Sequence, residues 1–283
     1  MREAIISFPA IGLEINPPAG FELFGKTIYF YGVAIALGFL LAIIYCAKRA
    51  DKFGLTEDNI YDVILWALPI GIIGARAYYV IFNFDLYAGE PITSLFAIWE
   101  GGLAIYGGII AGVTTAAIVC KIRHISIPAF LDVGSFGLLI GQMIGRWGNF
   151  FNREAYGAET ELFTRMGLTT SKGTIYVHPT FLYESLWNLV GFLLLHTYTS
   201  RSKRKFDGEV FLMYVLWYGI GRCMIEGLRA DSLYIGNTGI RVSQLLAGAS
   251  AAVALCLLLW LRRKPHTLLV DEVAGAAAEA EAE

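Results

Sequence analysis

Apolar residues fall along the chain in seven runs, at 27–47, 61–82, 99–120, 130–144, 181–198, 210–228 and 240–261, with short polar links between them. Most of them approach the roughly 20 residues that a helix needs to cross a bilayer. Lys and Arg gather after the first, third, fifth and seventh runs, at 48–52, 121–123, 201–205 and 262–264. If each run crosses once, these clusters share a side, which the positive-inside rule makes cytoplasmic. The pattern predicts an all-α integral membrane protein, a bundle of seven transmembrane helices with its N-terminus outside and its C-terminus cytoplasmic. Residues 1–26 are mildly apolar and broken by Pro9, Pro17 and Pro18, and read as an interfacial arm. Residues 150–180 are the longest non-apolar stretch and predict a small extracytoplasmic cap. Residues 1–264 then form a single membrane domain. The remainder, 265–283, is an acidic, low-complexity cytoplasmic tail that reads as disordered.

Composition agrees with lipid as the solvent. Of 283 residues, 56% are hydrophobic and only 16% are charged, where soluble domains carry about a quarter charged. The four cysteines, at 46, 120, 223 and 256, lie in or beside apolar runs without ligand spacing, and the four histidines are scattered. No metal, no cofactor and no nucleic-acid partner is expected.

The stretch that composition leaves unexplained is 141–157, GQMIGRWGNFFNREAYG, where the fourth run enters Arg146, Asn149, Asn152, Arg153 and Glu154 among four glycines. Ionisable side chains beside a hydrocarbon-length run are costly unless they face a cavity or a ligand. The glycines permit close backbone approach and positive φ. An Arg fork and an Asn amide donate to phosphate, and a carboxylate can hold the fork in place. Arg76 stands inside the second run. Arg222 and Glu226, four apart, share one helix face. With Glu184, Arg229, Asp231, Tyr31 and Tyr106 these collect on the outward side. Such a set binds an anionic lipid head group or serves as an ion site in a transporter of an anionic lipid or ion. No half-to-half similarity favours the transporter.

The motifs also resemble a family. GRWGNFFNREAYG is similar to the signature of the phosphatidylglycerol–prolipoprotein diacylglyceryl transferases. The likeness extends through YFYG at 29–32, GARAYYV at 74–80, WEGGLAIYGG at 99–108, HPTFLYES at 178–185 and GRCMIEGLRAD at 221–231, in family order. The resemblance implies an enzyme of the bacterial cytoplasmic membrane. It would move diacylglyceryl from phosphatidylglycerol to the lipobox cysteine of a prolipoprotein signal peptide, forming a thioether and releasing glycerol phosphate. By matching positions it implies catalytic roles for Arg146, Asn149, Glu154, Arg222, Glu226 and Tyr106. Substrate binding would fall to Arg146, Tyr31, Gly157, Arg76, His178, Tyr183, Glu184 and Arg229. Tyr106 stands where many members have a histidine proposed as the thiol's base. A phenol is a poor base at neutral pH, so the identity of the base is open.

Overall fold

A computed structural model describes residues 4–282 except 88, 202, 203, 230–233, 235–237 and 240, and gives backbone alone for Glu100, Glu281 and Ala282. Lys203 of the third basic cluster, the anion Asp231 and the first residue of the seventh apolar run, Ile240, lie outside the described residues. Among those described, eight α-helices and six short strands occur. The chain divides into two compact units, Met1–Cys46 with Leu131–Leu268, and Ala47–Phe130 with Leu269–Glu283.

In the first unit, α1 (Phe30–Arg49, of which residues 30–46 belong here) and α4 (Ile127–Asn152, from residue 131) meet through small residues. A Cβ on Gly38 would stand 3.5 Å from Gly141 Cα, and one on Gly137 would stand 3.1 Å from Cys46 Sγ. Helices α5 (Thr180–Ser200), α6 (Glu209–Glu226) and α7 (Val242–Leu261) follow. Trp187 on α5 and Trp217 on α6 stack with centroids 4.3 Å apart, and each indole N–H donates to the other residue's carbonyl at 3.0 Å. At the opposite end of α6 from its arginine, the buried Asp132 of α4 accepts from the amides of Gly208 and Phe211, both at 2.9 Å, and so caps the helix start.

Strands β1 (Ile5–Phe8), β2 (Leu13–Ile15), β5 (Met166–Thr170) and β6 (Gly173–Val177) form one antiparallel sheet in the order β2-β1-β5-β6. The arm at 1–26 and the cap at 150–180, expected as separate features, are therefore joined, with Ile6 opposite Leu168. The sheet's apolar face buries Ile6, Met166, Leu168 and Val177 against Phe150 at the end of α4 and Phe181 at the start of α5. The rest of the arm is a second hairpin, β3 (Gly20–Leu23) and β4 (Lys26–Tyr29), which feeds directly into α1.

In the second unit, α2 (Glu57–Phe82) starts at a capping box between Thr56 and Asn59 and packs against α3 (Ile105–Ile122). Glycines of the third apolar run bring helices into contact, since a Cβ on Gly74 would lie 2.9 Å from Gly107 O. The run was expected to become helical near residue 99. Gly101 and Gly102 instead adopt φ of 91° and 66°, so α3 begins only at Ile105. The tail corrects a second expectation. Leu269–Ala282 is helix α8 rather than disordered chain, and its start lies on Gly54, where a Cβ would meet Val270 N at 2.8 Å. Alanine-rich composition favours the helix, and Asp271 and Glu272 complement the positive end of its dipole.

Among the described residues, five helices are long and apolar enough to cross a membrane: α1 with its 3₁₀ extension (Phe30–Phe53), α2, α3, α4 and α7. Helices α5 and α6 carry Glu184, Asn188, Glu209, Arg222 and Glu226, all in buried or half-buried positions. That polarity lowers their apolar content.

Candidate active site

The site grows from the end of α4. The whole of GQMIGRWGNFFN is helical, and the positive φ values expected at its glycines occur instead at Arg153 (50°) and Ala155 (54°). Arg153 N donates to Phe150 O and Glu154 N to Asn149 O, both at 3.1 Å. This is the Schellman pattern, with Arg153 in the left-handed place that glycine usually takes. An L residue there costs about 1 kcal/mol. Four hydrogen bonds from the guanidinium offset that cost: to Ala4 O at 3.1 Å, Phe151 O at 2.7 Å, Asn16 Oδ1 at 2.9 Å and Pro17 O at 2.5 Å. Arg153 thus ties the N-terminal arm to the end of α4, a role its sequence position does not announce.

The turn folds Glu154 back over the helix end. Its Oε1 accepts from Asn149 and Asn152, each at 3.2 Å, and Asn149 Oδ1 in turn accepts from Arg146 at 3.4 Å. The glycines supply closeness rather than unusual φ. The Tyr31 ring of α1 lies over Gly148, where a Cβ would stand 2.7 Å from its Cδ2.

Glu184 on α5 faces this set. Its carboxylate is buried and reaches Arg146 at 2.5 Å, Arg222 at 3.4 Å and Arg229 at 3.7 Å. Arg222 also pairs with Glu226 at 2.7 Å, as the four-residue spacing foretold. Three guanidiniums thus surround two buried carboxylates, one positive charge in excess. Unit charges about 4 Å apart interact by roughly 4 kcal/mol at an effective dielectric of 20, so the excess cation makes an attractive seat for an anion.

Backbone geometry fixes these groups. Gly157 bridges Arg229, with Gly157 N donating to His178 O at 2.9 Å and Ala158 N to Leu228 O at 2.7 Å. A Cβ on Gly157 would stand 2.7 Å from both His178 Cβ and Leu228 O, so glycine is required for three strands of chain to meet. Burial pushes the His178 imidazole below its usual range, and its buried Nδ1 has no hydrogen-bond partner among the described residues. Tyr183 OH bonds Thr164 Oγ1 at 2.7 Å.

Of the sequence-named residues, the structure therefore gathers Tyr31, Arg146, Asn149, Glu154, Gly157, His178, Tyr183, Glu184, Arg222, Glu226 and Arg229 in the first unit. Tyr106 and Arg76 belong to the second. Tyr106 lies in the first turn of α3 and is 63% exposed. Arg76 is buried and its donors are committed to backbone, at 2.9 Å to Leu95 O, 2.6 Å to Ser94 O, and 2.7 and 3.2 Å to Gly101 O and Gly102 O. It holds the loop between α2 and α3 in place. Sequence reading passed over Arg241, which donates to Glu226 O and caps the end of α6. It also passed over Ser185, which accepts from Trp147 at 3.2 Å and donates to Met143 O at 2.9 Å, fastening α5 to α4.

Comparison with known proteins agrees with the signature. The family described as prolipoprotein diacylglyceryl transferase matches residues 18–260. A phosphatidylglycerol–prolipoprotein diacylglyceryl transferase of Oceanobacillus iheyensis is 45% identical over 275 residues, covering 92% of this chain and 91% of that protein. One from Finegoldia magna is 44% identical, covering 89% and 98%, and one from Enterococcus faecalis is 43% identical, covering 89% and 93%. With a match this long, and the signature arginine seated against a buried carboxylate, the chain belongs to the prolipoprotein diacylglyceryl transferase family.

Proposed function

We propose that the protein transfers diacylglyceryl from phosphatidylglycerol to the lipobox cysteine thiol of prolipoproteins. The observation that carries this reading is the half-buried group of Arg146, Arg222 and Arg229 around the buried Glu184 and Glu226, with one cation in excess. The cysteine sulfur attacks the glycerol carbon of the lipid, the carbon–oxygen bond to phosphate breaks, and a thioether forms. Glycerol phosphate leaves, and the thiol proton passes to a base and finally to the phosphate product. Only a small fraction of a thiol is ionised at neutral pH, so removal of that proton and stabilisation of the departing phosphate are the two tasks. The arginines serve the second, because fixed cations in a water-poor site act without reorganisation. They also lower the pKa of a thiol brought beside them. Glu184 keeps the forks aligned, with Asn149 and Glu154 steadying Arg146 from the other side. Tyr31, His178 and Tyr183 line the same region and are assigned to substrate binding.

The same reading places seven spans in the bacterial cytoplasmic membrane, with residues 1–264 as one membrane domain. Helices α5 and α6 join the five apolar ones because their charges turn into the first unit and pair there. The basic ends of the odd-numbered spans then face the cytoplasm, and the joined arm and cap form an extracytoplasmic sheet. The test is mass spectrometry of a lipobox peptide incubated with the purified protein and phosphatidylglycerol. A mass gain of one diacylglyceryl group on the cysteine supports the reading, and an unchanged peptide refutes it.

A further inference from the structure

Polar residues continue past the arginines into the helices, at four-residue spacing. On α6 the file runs Glu226, Arg222, Tyr218 and Tyr214; on α4, Arg146 and Gln142; on α5, Glu184 and Asn188. Four residues of helix advance about 6 Å. Gln142 Nε2 donates to Tyr214 OH at 2.8 Å, and Tyr214 stacks on Tyr218 with centroids 5.9 Å apart. Two oxygens on this level, Gln142 Oε1 and Asn188 Oδ1, are buried without a hydrogen-bond partner among the described residues, and Asn188 is only 3% exposed. Buried polar atoms are nearly always paired, and amides inside a membrane bundle are costly otherwise. Gln142 lies one helical turn from Arg146, and Asn188 one turn from the Glu184 that holds the three arginines, so both oxygens call for donors attached to the anion that the cations hold.

We propose that Gln142 and Asn188 accept hydrogen bonds from the head-group hydroxyls of the donor lipid and thereby select a polyol head. This rests on the function proposed above. A phosphate seated at Arg146 and Arg222 places the far hydroxyls of a glycerol head within about one helical turn. The ester carbonyls of the lipid cannot fill the place, since they bring acceptors and no donors. An ethanol or propanol head satisfies neither oxygen fully, and leaving a buried acceptor unpaired is what gives a site discrimination.

The experiment compares phosphatidylglycerol with phosphatidyl-1-propanol, which has the same charge and nearly the same size but no free hydroxyl. Transfer to a lipobox peptide is followed for each lipid, with lipid retention by native mass spectrometry as a second readout. Wild type is expected to favour phosphatidylglycerol about tenfold or more in kcat/KM. In Gln142→Met and Asn188→Leu, chosen to keep volume, that preference collapses toward unity. It does so through weaker use of phosphatidylglycerol, with phosphatidyl-1-propanol use unchanged. Equal use of the two lipids by wild type overturns the inference without any variant. Retained preference in both folded variants overturns it as well. If wild type transfers from neither lipid, the failure belongs to the proposed function and not to the head-group assignment.

Discussion

Glu184 Oε2 lies 2.5 Å from Arg146 Nη2, across the seam between α5 and α4. That one carboxylate also reaches Arg222 and Arg229, so it sets the spacing of every cation in the site. Removing it leaves half-buried guanidiniums facing one another, whereas removing Arg146 leaves a carboxylate still paired with Arg222 and Arg229. Glu184→Gln is therefore expected to lower both the melting temperature and turnover. Arg146→Lys is expected to stay folded and lose about a hundredfold in rate, on the order of 3 kcal/mol, because the fork is lost while the charge remains. Thermal unfolding alongside peptide lipidation separates the two effects. Wild-type turnover in a folded Arg146→Ala protein would falsify the phosphate role.

Gly157→Ala tests whether that signature glycine acts through packing. Its new methyl would stand 2.7 Å from backbone oxygen and from His178 Cβ, so the bridge to Arg229 must open. The expected outcome is a drop in melting temperature with a matching loss of activity. A variant as stable as wild type but inactive would assign Gly157 to direct substrate contact instead.

The buried His178 imidazole titrates below its usual value, so the unfolded chain binds a proton more readily than the folded one. Its stabilising contribution is present above the unfolded value of about 6.5 and is lost as pH falls through the lower folded value. Between pH 7 and pH 5 the melting temperature of wild type should fall more steeply than that of His178→Gln. Parallel slopes would show that His178 carries no such linkage.

Tyr106→Phe is expected to retain measurable turnover and to weaken phosphatidylglycerol use modestly, by about 1 kcal/mol for one hydrogen bond lost at an exposed ring. Tyr106→His should be tolerated. The measurement is the pH–rate profile of the three proteins at saturating lipid. If Tyr106→Phe abolishes turnover with lipid affinity unchanged, the hydroxyl belongs in the chemical step.

Topology can be read with reporters. Fusions after Lys52 and Lys205 should report the cytoplasm, and an insertion within residues 158–172 should report the outside. An external signal after Lys205 breaks the seven-span arrangement.

Much of this architecture was visible in the chain itself. The apolar runs of bilayer length located most helices within a few residues, although α3 starts later than its run, at Ile105, and α4 carries on past 144 to Asn152, and the spacing of Arg222 and Glu226 foretold their pairing. What was hidden depends on contacts between distant segments. Nothing local in Ile5–Phe8 says that it will pair with Met166–Thr170, because strand partners are chosen by the shared buried face. Arg153 read as one more cation of the motif, yet its guanidinium is spent on the arm, and its left-handed backbone depends on those bonds. Glu184 was named for substrate binding, but nothing local marked it as the carboxylate that three arginines share. Its three partners come from α4, from α6 and from the segment after α6, which no single stretch of sequence displays together. The tail was misread because low complexity was weighed above alanine's helix propensity.

The reciprocal indole clasp of Trp187 and Trp217 has a mechanical consequence. Each ring occupies space that a side chain at Gly221 or Gly191 would fill, and each N–H is spent on the opposite backbone. Sliding α5 along α6 by even part of a turn would break both hydrogen bonds and drive both rings into the facing helix at once. The seam therefore behaves as a dowelled joint with one register, and the distance from Glu184 to Arg222 is held by carpentry as well as by charge. Whatever motion admits a two-tailed lipid, these two helices pass through it as a single rigid part.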